Sequence, residues 1–317
     1  MYENYILTLS IKAHVMRNMN KLPLEKRVQI LTLLVEGSSL RSISRIAGVS
    51  INTVTKLLVD AGHACAVFHD ANARNVTAKN VQCDEIWSFC YAKKRNVAAA
   101  KAAPEGAGDV WTFAAIDGDS KLMVSWMAGA RDGTTAYQLM SDLKERLVSR
   151  VQITTDGFPP YVMAVGATFG PENVDYAMLV KLYGAPKDGP RGSAERRYSP
   201  PECIGCQKNP LYGNPDLANV STLFIERQNL TMRMSMRRFM RLTNAFSKKF
   251  ENHCHALALY FVWYNWIRKH KKHGTTPAIA AGIADKMLTM EDVAELVDTR
   301  QLSLIHSRRQ EIVTNSN

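Results

Sequence analysis

The chain has 317 residues, a formal net charge of +11 and 46% hydrophobic residues, enough for one or more globular domains with a substantial core. The basic balance makes a polyanion a partner worth testing, although charge alone also fits any soluble basic protein. No apolar run reaches the roughly 20 residues that cross a bilayer, and Lys12 and His14 interrupt the apolar N-terminal stretch. We therefore exclude a signal peptide and a membrane protein.

Six scattered cysteines lack the dense spacing of a secreted disulfide scaffold. A reducing, cytoplasmic environment is therefore expected. Residues 1–21 are interpreted as an N-terminal extension, and Met16 and Met19 are alternative starts of the chain.

Three short helices are predicted in an all-α domain over residues 22–62. Gly37 ends the first helix, Ser39 caps the second, Gly48 forms the turn, and Ser50 caps the third. Two short helices joined by a glycine-containing turn are typical of a DNA-binding helix-turn-helix. A trihelical packing or dimerisation unit is the alternative.

In a helix-turn-helix, the N-terminal part of the third helix enters the major groove of DNA. Base or phosphate contacts are therefore predicted for Ser50, Asn52, Thr53 and Lys56. Asn52 can read adenine through two hydrogen bonds.

The rest of the chain alternates between strand-like and helix-like segments. A polar linker is predicted over 63–80, and an α/β domain with a mixed sheet over 81–270. The predicted strands are 81–91, 110–116, 121–127, 151–155 and 175–184, and the predicted helices start at Thr134 or Thr135, at Pro160 and near Glu226. An insertion of low periodicity covers about 184–219, and a C-terminal tail covers 271–317.

Three acids stand out by their positions in these elements. Asp84 lies inside the first strand, Asp156 ends a buried strand, and Glu226 begins a helix. Their separations along the chain are too long for a local metal-binding loop, so the fold has to bring them together. Two-metal phosphoryl transfer requires such a carboxylate cluster around two Mg²⁺ ions about 4 Å apart.

The choice between Asp84 and its neighbour Glu85 depends on the pleat of the strand. Successive strand residues face opposite sides of a sheet, so only one of these two acids is expected to reach the site. Spacing alone does not choose between them, nor does it exclude Asp117. Asp117 lies in the sequence DGDS, which favours a hairpin-turn role.

Three segments resemble the catalytic-core motifs of the insertion sequence 1 family of bacterial DDE transposases: QCDEIWSF around Asp84, TTDGFPPY around Asp156 and FIERQNLTMRMSMRRF around Glu226. The segment YNWIRKHKKHGTTPA resembles the tail after the core in integrase-like recombinases. The resemblance implies an RNase H-like fold after the helix-turn-helix. It also implies that Asp84, rather than Glu85 or Asp117, completes a metal-binding triad with Asp156 and Glu226.

The same resemblance implies a reaction and its partners. Two Mg²⁺ or Mn²⁺ ions would activate water to nick the ends of an insertion element, and the freed 3′-hydroxyl would then attack target DNA. The implied partners are the terminal inverted repeats, target DNA and further copies of the chain on DNA. The implied location is the bacterial cytoplasm, at the nucleoid.

The helix that begins near Glu226 is rich in arginine. Glu226, Asn229, Arg233 and Arg237 recur at three- and four-residue steps and would share one face of a continuous helix. Next to the triad, this face is predicted to bind DNA phosphates. A solvated basic face is the alternative.

Cys203 and Cys206 form a C-x-x-C pair upstream of His253 and His255, a combination of residue types that can bind zinc. A structural zinc needs four ligands. On a helix the two histidines lie about 200° apart and do not both face one ion, so zinc is not expected.

Two other functions compete with transposition. One is a metal-dependent nuclease that uses the triad without strand transfer. The other is a DNA-binding repressor or an inactive transposase remnant, against which the presence of all three acids argues.

Overall fold

A six-stranded mixed sheet forms the centre of the computed structural model, which describes residues 21–184, 202–240 and 244–301. The strands lie in the order β3-β2-β1-β4-β5-β6. Their bounds are β1 Asn80–Cys90, β2 Gly108–Asp117, β3 Met123–Gly129, β4 Gln152–Thr155, β5 Asp175–Tyr183 and β6 Cys203–Tyr212. The predicted mixed α/β arrangement is confirmed.

Strands β1, β2 and β3 form an antiparallel meander, whereas β4 and β5 run parallel to β1. The predicted hairpin between β2 and β3 is present. Strand β4 pairs with β1 only from Asn80 to Cys83, so the rest of β1 extends past β4 and pairs with β2 on its other side. This unequal length leaves room for a site beside the middle of β1.

Helices cover both faces of the sheet and form a helical unit before it. Their bounds are α1 Leu24–Val35, α2 Leu40–Ala47, α3 Ile51–Asn72, α4 Gly133–Arg146, α5 Pro160–Phe169, α6 Leu223–Ser235, α7 Phe250–Val262 and α8 Pro277–Ala280. A π-helical turn, Trp263–Ile267, extends α7, and residues 290–301 are helical.

The three helices predicted at the N-terminal end are present with their predicted caps. The side chains of Ser39 and Ser50 accept hydrogen bonds from the backbone N–H groups of Ser42 and Thr53, each at 3.1 Å. Gly48 ends α2 with φ of 65°, a left-handed conformation that glycine adopts at little cost.

The predicted linker over 63–80 is wrong in its first half, because α3 continues without interruption to Asn72. The continuation is stabilised by burial. Ala64, Cys65 and His69 lie on one side of α3 and are buried, where α3 packs along α7. Because the side chains on this face are small, the sequence shows no clear helical periodicity here. The N-terminal helices share one hydrophobic core with the sheet region.

The remaining differences from the predicted elements are local. Asp132 rather than a threonine caps α4, because its Oδ1 accepts a hydrogen bond from the Thr135 N–H at 2.9 Å. Part of the predicted insertion forms β6, an antiparallel edge strand on β5. Part of the predicted tail also joins the core: Arg27 of α1 binds Asp298 at 2.9 Å, and Val293 is fully buried.

Gly62 allows the close crossing of α3 and α7. A Cβ atom at this position would lie 2.5 Å from the Cα and 2.6 Å from the carbonyl oxygen of His255, both of which are backbone atoms that have little freedom to move. Gly62→Ala is therefore expected to lower the free energy of unfolding by about 1 to 3 kcal/mol, as overpacking does. Denaturant unfolding followed by circular dichroism measures the change.

Ala66→Ser is the matched control, since Ala66 is exposed on the same helix and the change should leave stability nearly unaltered. Equal stability of Gly62→Ala and the wild type would contradict the close crossing.

Among the described helices, none combines the length and apolar character of a transmembrane span.

Candidate active site

The fold brings the three acids predicted as a triad to the lining of one cleft of about 400 Å³. Asp84 lies in the middle of β1, Asp156 directly follows β4, and Glu226 lies in the first turn of α6. The residues that line the cleft also include Arg131, Lys181 and Thr222.

The sheet register explains why the first two acids meet. Cys83 of β1 lies opposite Thr155 of β4 in the parallel pairing. The residues that follow them, Asp84 within β1 and Asp156 just after β4, are therefore neighbours. Parallel neighbouring strands place their carboxyl ends at the same edge. Because β4 is short, Asp156 at its carboxyl end lies beside Asp84.

Glu226 is positioned by a contact between α6 and β1. The side-chain Oε1 of Gln82 accepts hydrogen bonds from the backbone N–H groups of Phe224 at 2.8 Å and Ile225 at 3.2 Å. Helix N-terminal N–H groups have no partner within the helix, and here a strand side chain supplies one. Gln82 shares a strand face with Asp84, so the contact fixes the start of α6 over the acids.

Both carboxylate oxygens of Asp84 accept hydrogen bonds. Oδ1 accepts from the backbone N–H of Glu85 and Oδ2 from Nδ2 of Asn229, each at 2.8 Å. Burial and then the charge of Asp156 raise the pKa of Asp84 to about 7. Burial likewise raises the pKa of Asp156. Burial is the largest cause of both shifts, and the neighbouring negative charge of Asp156 adds to the shift of Asp84.

Asp84 lines the cleft and Glu85 does not, in agreement with the prediction that only one of the two acids reaches the site, although Glu85 lies close to the other acids. One oxygen from each of Asp84, Glu85 and Asp156 lies within 4.8 Å of the others. The two strand residues do face opposite sides, but Asp156 lies just beyond the end of β4 and close to both. The Asp84 side chain also bends toward the next residue, because its Oδ1 accepts a hydrogen bond from the Glu85 N–H.

Glu85 is buried and already has partners. It accepts hydrogen bonds from Arg131 at 2.6 Å and from the hydroxyl of Tyr161 at 3.3 Å. Burial and the charge of Asp156 raise the pKa of Glu85 to about 7. Glu85 therefore lies behind the cleft and is not among its lining residues.

Two cationic side chains accompany the acids, and sequence reasoning missed both. Arg131 binds Glu85 at 2.6 Å and lies 3.8 Å from Asp156. Lys181 of β5 binds Glu226 at 2.5 Å, and the Thr222 hydroxyl donates to the same carboxylate at 2.5 Å. Neither cation lies in a recognised sequence motif. The one feature of the sequence that could have indicated Lys181 is its position near the end of the predicted strand that follows Asp156.

The charges in this cluster do not balance. Counted as formal charges, four carboxylates face two cations, Arg131 and Lys181, and bound divalent cations would offset the difference. Mg²⁺ and Mn²⁺ prefer oxygen ligands of this kind. In addition, the buried Oδ1 of Asn229 has no hydrogen-bond partner among the described residues, which leaves an oxygen acceptor next to Asp84. The donor set therefore fits a divalent metal ion.

The predicted DNA-contacting residues of α3 lie at its exposed N-terminal end. Asn52 and Lys56 are exposed, and Lys56 forms an ion pair with Asp60 at 2.7 Å. The Ser50 and Thr53 hydroxyls lie 2.9 Å apart in the cap of the helix. Ser50 thus has a structural role in addition to any contact with DNA.

The predicted basic face of the helix after Glu226 is interrupted. Helix α6 ends at Ser235, and Met236 has an extended backbone with φ of −125°. Asn229 and Arg233 are on the helix, but Arg237 lies in a separate short 3₁₀ turn. Asn229 is also only 5% exposed and binds Asp84, so its observed contact is with the acid cluster.

Arg237 lines a second, larger cleft of about 960 Å³ between the N-terminal helices and α7. Arg41, Lys248 and Lys249 also line this cleft, and its described lining contains no acidic residue.

The remaining candidates have structural roles. Asp117 accepts hydrogen bonds from the N–H groups of Asp119 at 3.2 Å and Ser120 at 2.9 Å, as expected of a turn residue. His253 is buried within hydrogen-bond distance of Ser88 and Ser247.

The C-x-x-C pair considered for zinc belongs to the sheet. Cys203 and Cys206 lie on the exposed edge strand β6. In the described part of the chain, Asp84, Glu85 and Asp156 form the one group of three or more metal-ligating residue types close enough to share an ion.

Comparison with known proteins gave no match to a protein-family model or to a curated protein sequence, so the resemblance to the insertion sequence 1 family is unconfirmed. Solved structures with some similarity are transposase complexes. The Mos1 transposase paired-end complex with left transposon end has 15% identity and a TM-score of 0.21, and the match covers 47% of this chain and 57% of the Mos1 chain. The Mos1 mariner paired-end complex with Mn has 12% identity, the same TM-score and the same coverage.

The piggyBac transposase synaptic complex with hairpin DNA has 11% identity and a TM-score of 0.32, and the match covers 73% of this chain and 54% of that protein. The chain thus spans little more than half the length of these proteins. Because the TM-scores are low, the functional assignment rests on the residues of the cleft.

Proposed function

We propose that the chain is a DNA transposase of the DDE type, with an RNase H-like catalytic unit and a helix-turn-helix that binds the ends of an insertion element. The observation that carries the proposal is the convergence of Asp84, Asp156 and Glu226 on one cleft. These acids are 156 − 84 = 72 and 226 − 156 = 70 residues apart. Acids from a central strand, the end of its parallel neighbour and a helix supply the carboxylates that two-metal phosphoryl transfer needs.

The protein's own groups have distinct roles in this proposal. Asp84 and Asp156 would hold one of the two divalent ions, and Glu226, which lines the same cleft but lies outside the group of acids within 4.8 Å of one another, would serve the second. Mg²⁺ or Mn²⁺, when bound, supplies charge stabilisation at the reacting phosphate and lowers the pKa of water. Asn229 orients Asp84 through its 2.8 Å hydrogen bond, and Arg131 fixes Glu85 behind the site.

The positive side chains around the acids suit a DNA substrate. Lys181 and Arg131 line the cleft beside the carboxylates, where they can contact phosphate oxygens. The second cleft, lined by Arg41 and Arg237 among other basic residues, lies between the catalytic unit and α1–α3. A DNA backbone held there would connect the N-terminal helices to the site.

A plasmid assay tests the function. The chain is incubated with DNA that carries the flanks of its own element, with Mg²⁺, Mn²⁺ or EDTA. We expect metal-dependent nicks that leave 3′-hydroxyls at the element ends, followed by products joined to target DNA. Nicks without joined products would assign a nuclease, and specific binding without any nick under either metal would assign a repressor.

Asn52→Ala is expected to weaken binding to the preferred end sequence by about 1 to 3 kcal/mol if the amide reads a base. Binding to unrelated DNA should change little, because phosphate contacts remain. Competition binding with both DNAs measures the difference. Asn173→Ala, which alters an exposed asparagine far along the chain, is the control, and an unchanged footprint of Asn52→Ala would remove Asn52 from the recognition set.

A further inference from the structure

A strip of aromatic side chains runs along the sheet next to the acid cluster. Its members are Trp111 on β2, Trp87 and Phe89 on β1, and Phe246 in the segment before α7; we call them the aromatic strip. Ring centroids of Trp87 and Phe89 lie 5.7 Å apart, and those of Phe89 and Phe246 lie 4.9 Å apart in a stacked arrangement. All four side chains are partly exposed.

The backbone explains this alignment. Trp87 and Trp111 are direct partners in the β1–β2 register, and directly opposed residues have neighbouring side chains. Phe89 follows two residues after Trp87 and shares its face. The Tyr91 N–H donates to the carbonyl of Ser247 at 2.7 Å, which holds Phe246 beside the end of β1. The strip occupies the part of β1 that β4 does not reach.

Cationic side chains lie over the rings of the strip. The Lys93 ammonium is 5.6 Å from the Trp87 centroid, and the Lys248 ammonium is 4.3 Å from the Phe246 centroid. In the described part of the chain, neither lysine forms a salt bridge with a carboxylate. Both lysines therefore keep their charge available to a polyanion.

The strip is continuous with the candidate active site through one residue. The Arg131 guanidinium lies 4.8 Å from the Trp111 ring centroid, and it also binds Glu85 and lies 3.8 Å from Asp156. The strip lies on the face of β1 that carries Glu85 and meets the cleft at Arg131, so a DNA strand that leaves the acids past Arg131 would reach the rings and cations.

We propose that the aromatic strip binds unpaired bases of the DNA strand at the cut site, while Lys93 and Lys248 contact its phosphates. Proteins that bind single strands without sequence preference combine aromatic side chains, on which bases stack, with cationic side chains that contact the backbone. Bases in a duplex are stacked on each other and hide their faces, so the strip selects unpaired nucleotides. The inference rests on the proposed function, because it assigns the strip to the strand that the acid cleft cuts.

Binding measured in EDTA separates this inference from catalysis. The full chain is titrated with a fluorescent oligothymidylate of about 16 nucleotides, and in parallel with a duplex of equal length. We expect Trp87→Ala to weaken single-strand binding about fivefold or more and to leave duplex binding unchanged. Trp87→Phe, which keeps a stacking ring, should retain most of the affinity. If the chain does not cleave DNA but its single-strand binding still depends on Trp87, the transposase proposal is overturned and the inference about the strip is not.

Tyr137→Ala is the matched control, since Tyr137 is a 49% exposed aromatic residue on α4 outside the strip. This variant should bind both DNAs like the wild type. Unchanged single-strand binding by Trp87→Ala, or an equal loss for single strand and duplex, would overturn the inference. A change of oligomeric state without a change in DNA binding would also overturn it and assign the strip to a second copy of the chain.

A second measurement uses the wild-type chain and does not depend on the folding of a variant. An oligothymidylate carrying 5-iododeoxyuridine is crosslinked by light, and the adducts are mapped by mass spectrometry. Adducts on Trp87, Phe89 or Phe246 would support the inference, and adducts confined to other parts of the chain would overturn it.

Discussion

Asp156→Asn is expected to abolish DNA cleavage and leave DNA binding intact. The substitution keeps the size of the side chain but removes a negative charge from the point where Asp84, Glu85 and Asp156 meet within 4.8 Å. Loss of one carboxylate ligand removes several kcal/mol of metal-dependent stabilisation of the transition state, which corresponds to a rate reduction of about a thousandfold. Nicking of end-containing DNA under Mg²⁺ measures the rate, and gel-shift binding in EDTA measures affinity.

Asp119→Asn serves as the control because Asp119 is an exposed acid in the β2–β3 turn, away from the cleft. It should cut DNA like the wild type. Equal loss of binding and cleavage in Asp156→Asn would show that Asp156 maintains the fold rather than the chemistry, and unchanged cleavage would exclude it from the metal site.

Asp84→Asn is expected to stabilise the metal-free protein at about pH 8 by roughly 1 to 3 kcal/mol. Burial and the charge of Asp156 raise the pKa of Asp84 from 3.8 to about 7, so the folded chain holds a proton that the unfolded chain has released. Stability therefore falls as the pH rises from about 4 to about 7, where the folded carboxyl ionises. The neutral amide removes this loss.

Denaturant unfolding at about pH 5 and about pH 8 in EDTA measures the effect, which should be smaller at the lower pH, because only part of the interval between the unfolded and folded pKa values has been crossed there. Addition of Mg²⁺ at the higher pH should stabilise the wild type more than Asp84→Asn, because the metal binds the folded carboxylates. Destabilisation of Asp84→Asn at the higher pH without metal would contradict the charge imbalance of the cleft.

The sequence pattern predicted most of the sheet and the positions of the three acids. Strand alternation and turn residues located β1 to β5, and the caps Ser39 and Ser50 located the N-terminal helices. These features depend on local chemistry, which acts over a few residues and is visible in one sequence. The convergence of the acids followed from their places at the centre or end of such elements.

The features that sequence missed depend on distant partners. The continuation of α3 to Asn72 is stabilised by packing on α7, and β6 exists because β5 offers it an edge. The pleat correctly placed Asp84 and Glu85 on opposite faces. It could not show that one oxygen of Asp156 lies within 4.8 Å of both acids, nor that Arg131 and Lys181 neutralise part of the cluster.

The central claim is that the cleft between Asp84, Asp156 and Glu226 is a divalent-metal site that acts on DNA. The most direct test is a crystal of the wild-type chain with DNA and Mn²⁺, in which the ion is located by its anomalous scattering. We predict a manganese peak in contact with the carboxylates of Asp84 and Asp156 and facing Glu226. Bound DNA with no manganese in this cleft, or manganese held by other residues, would contradict the account.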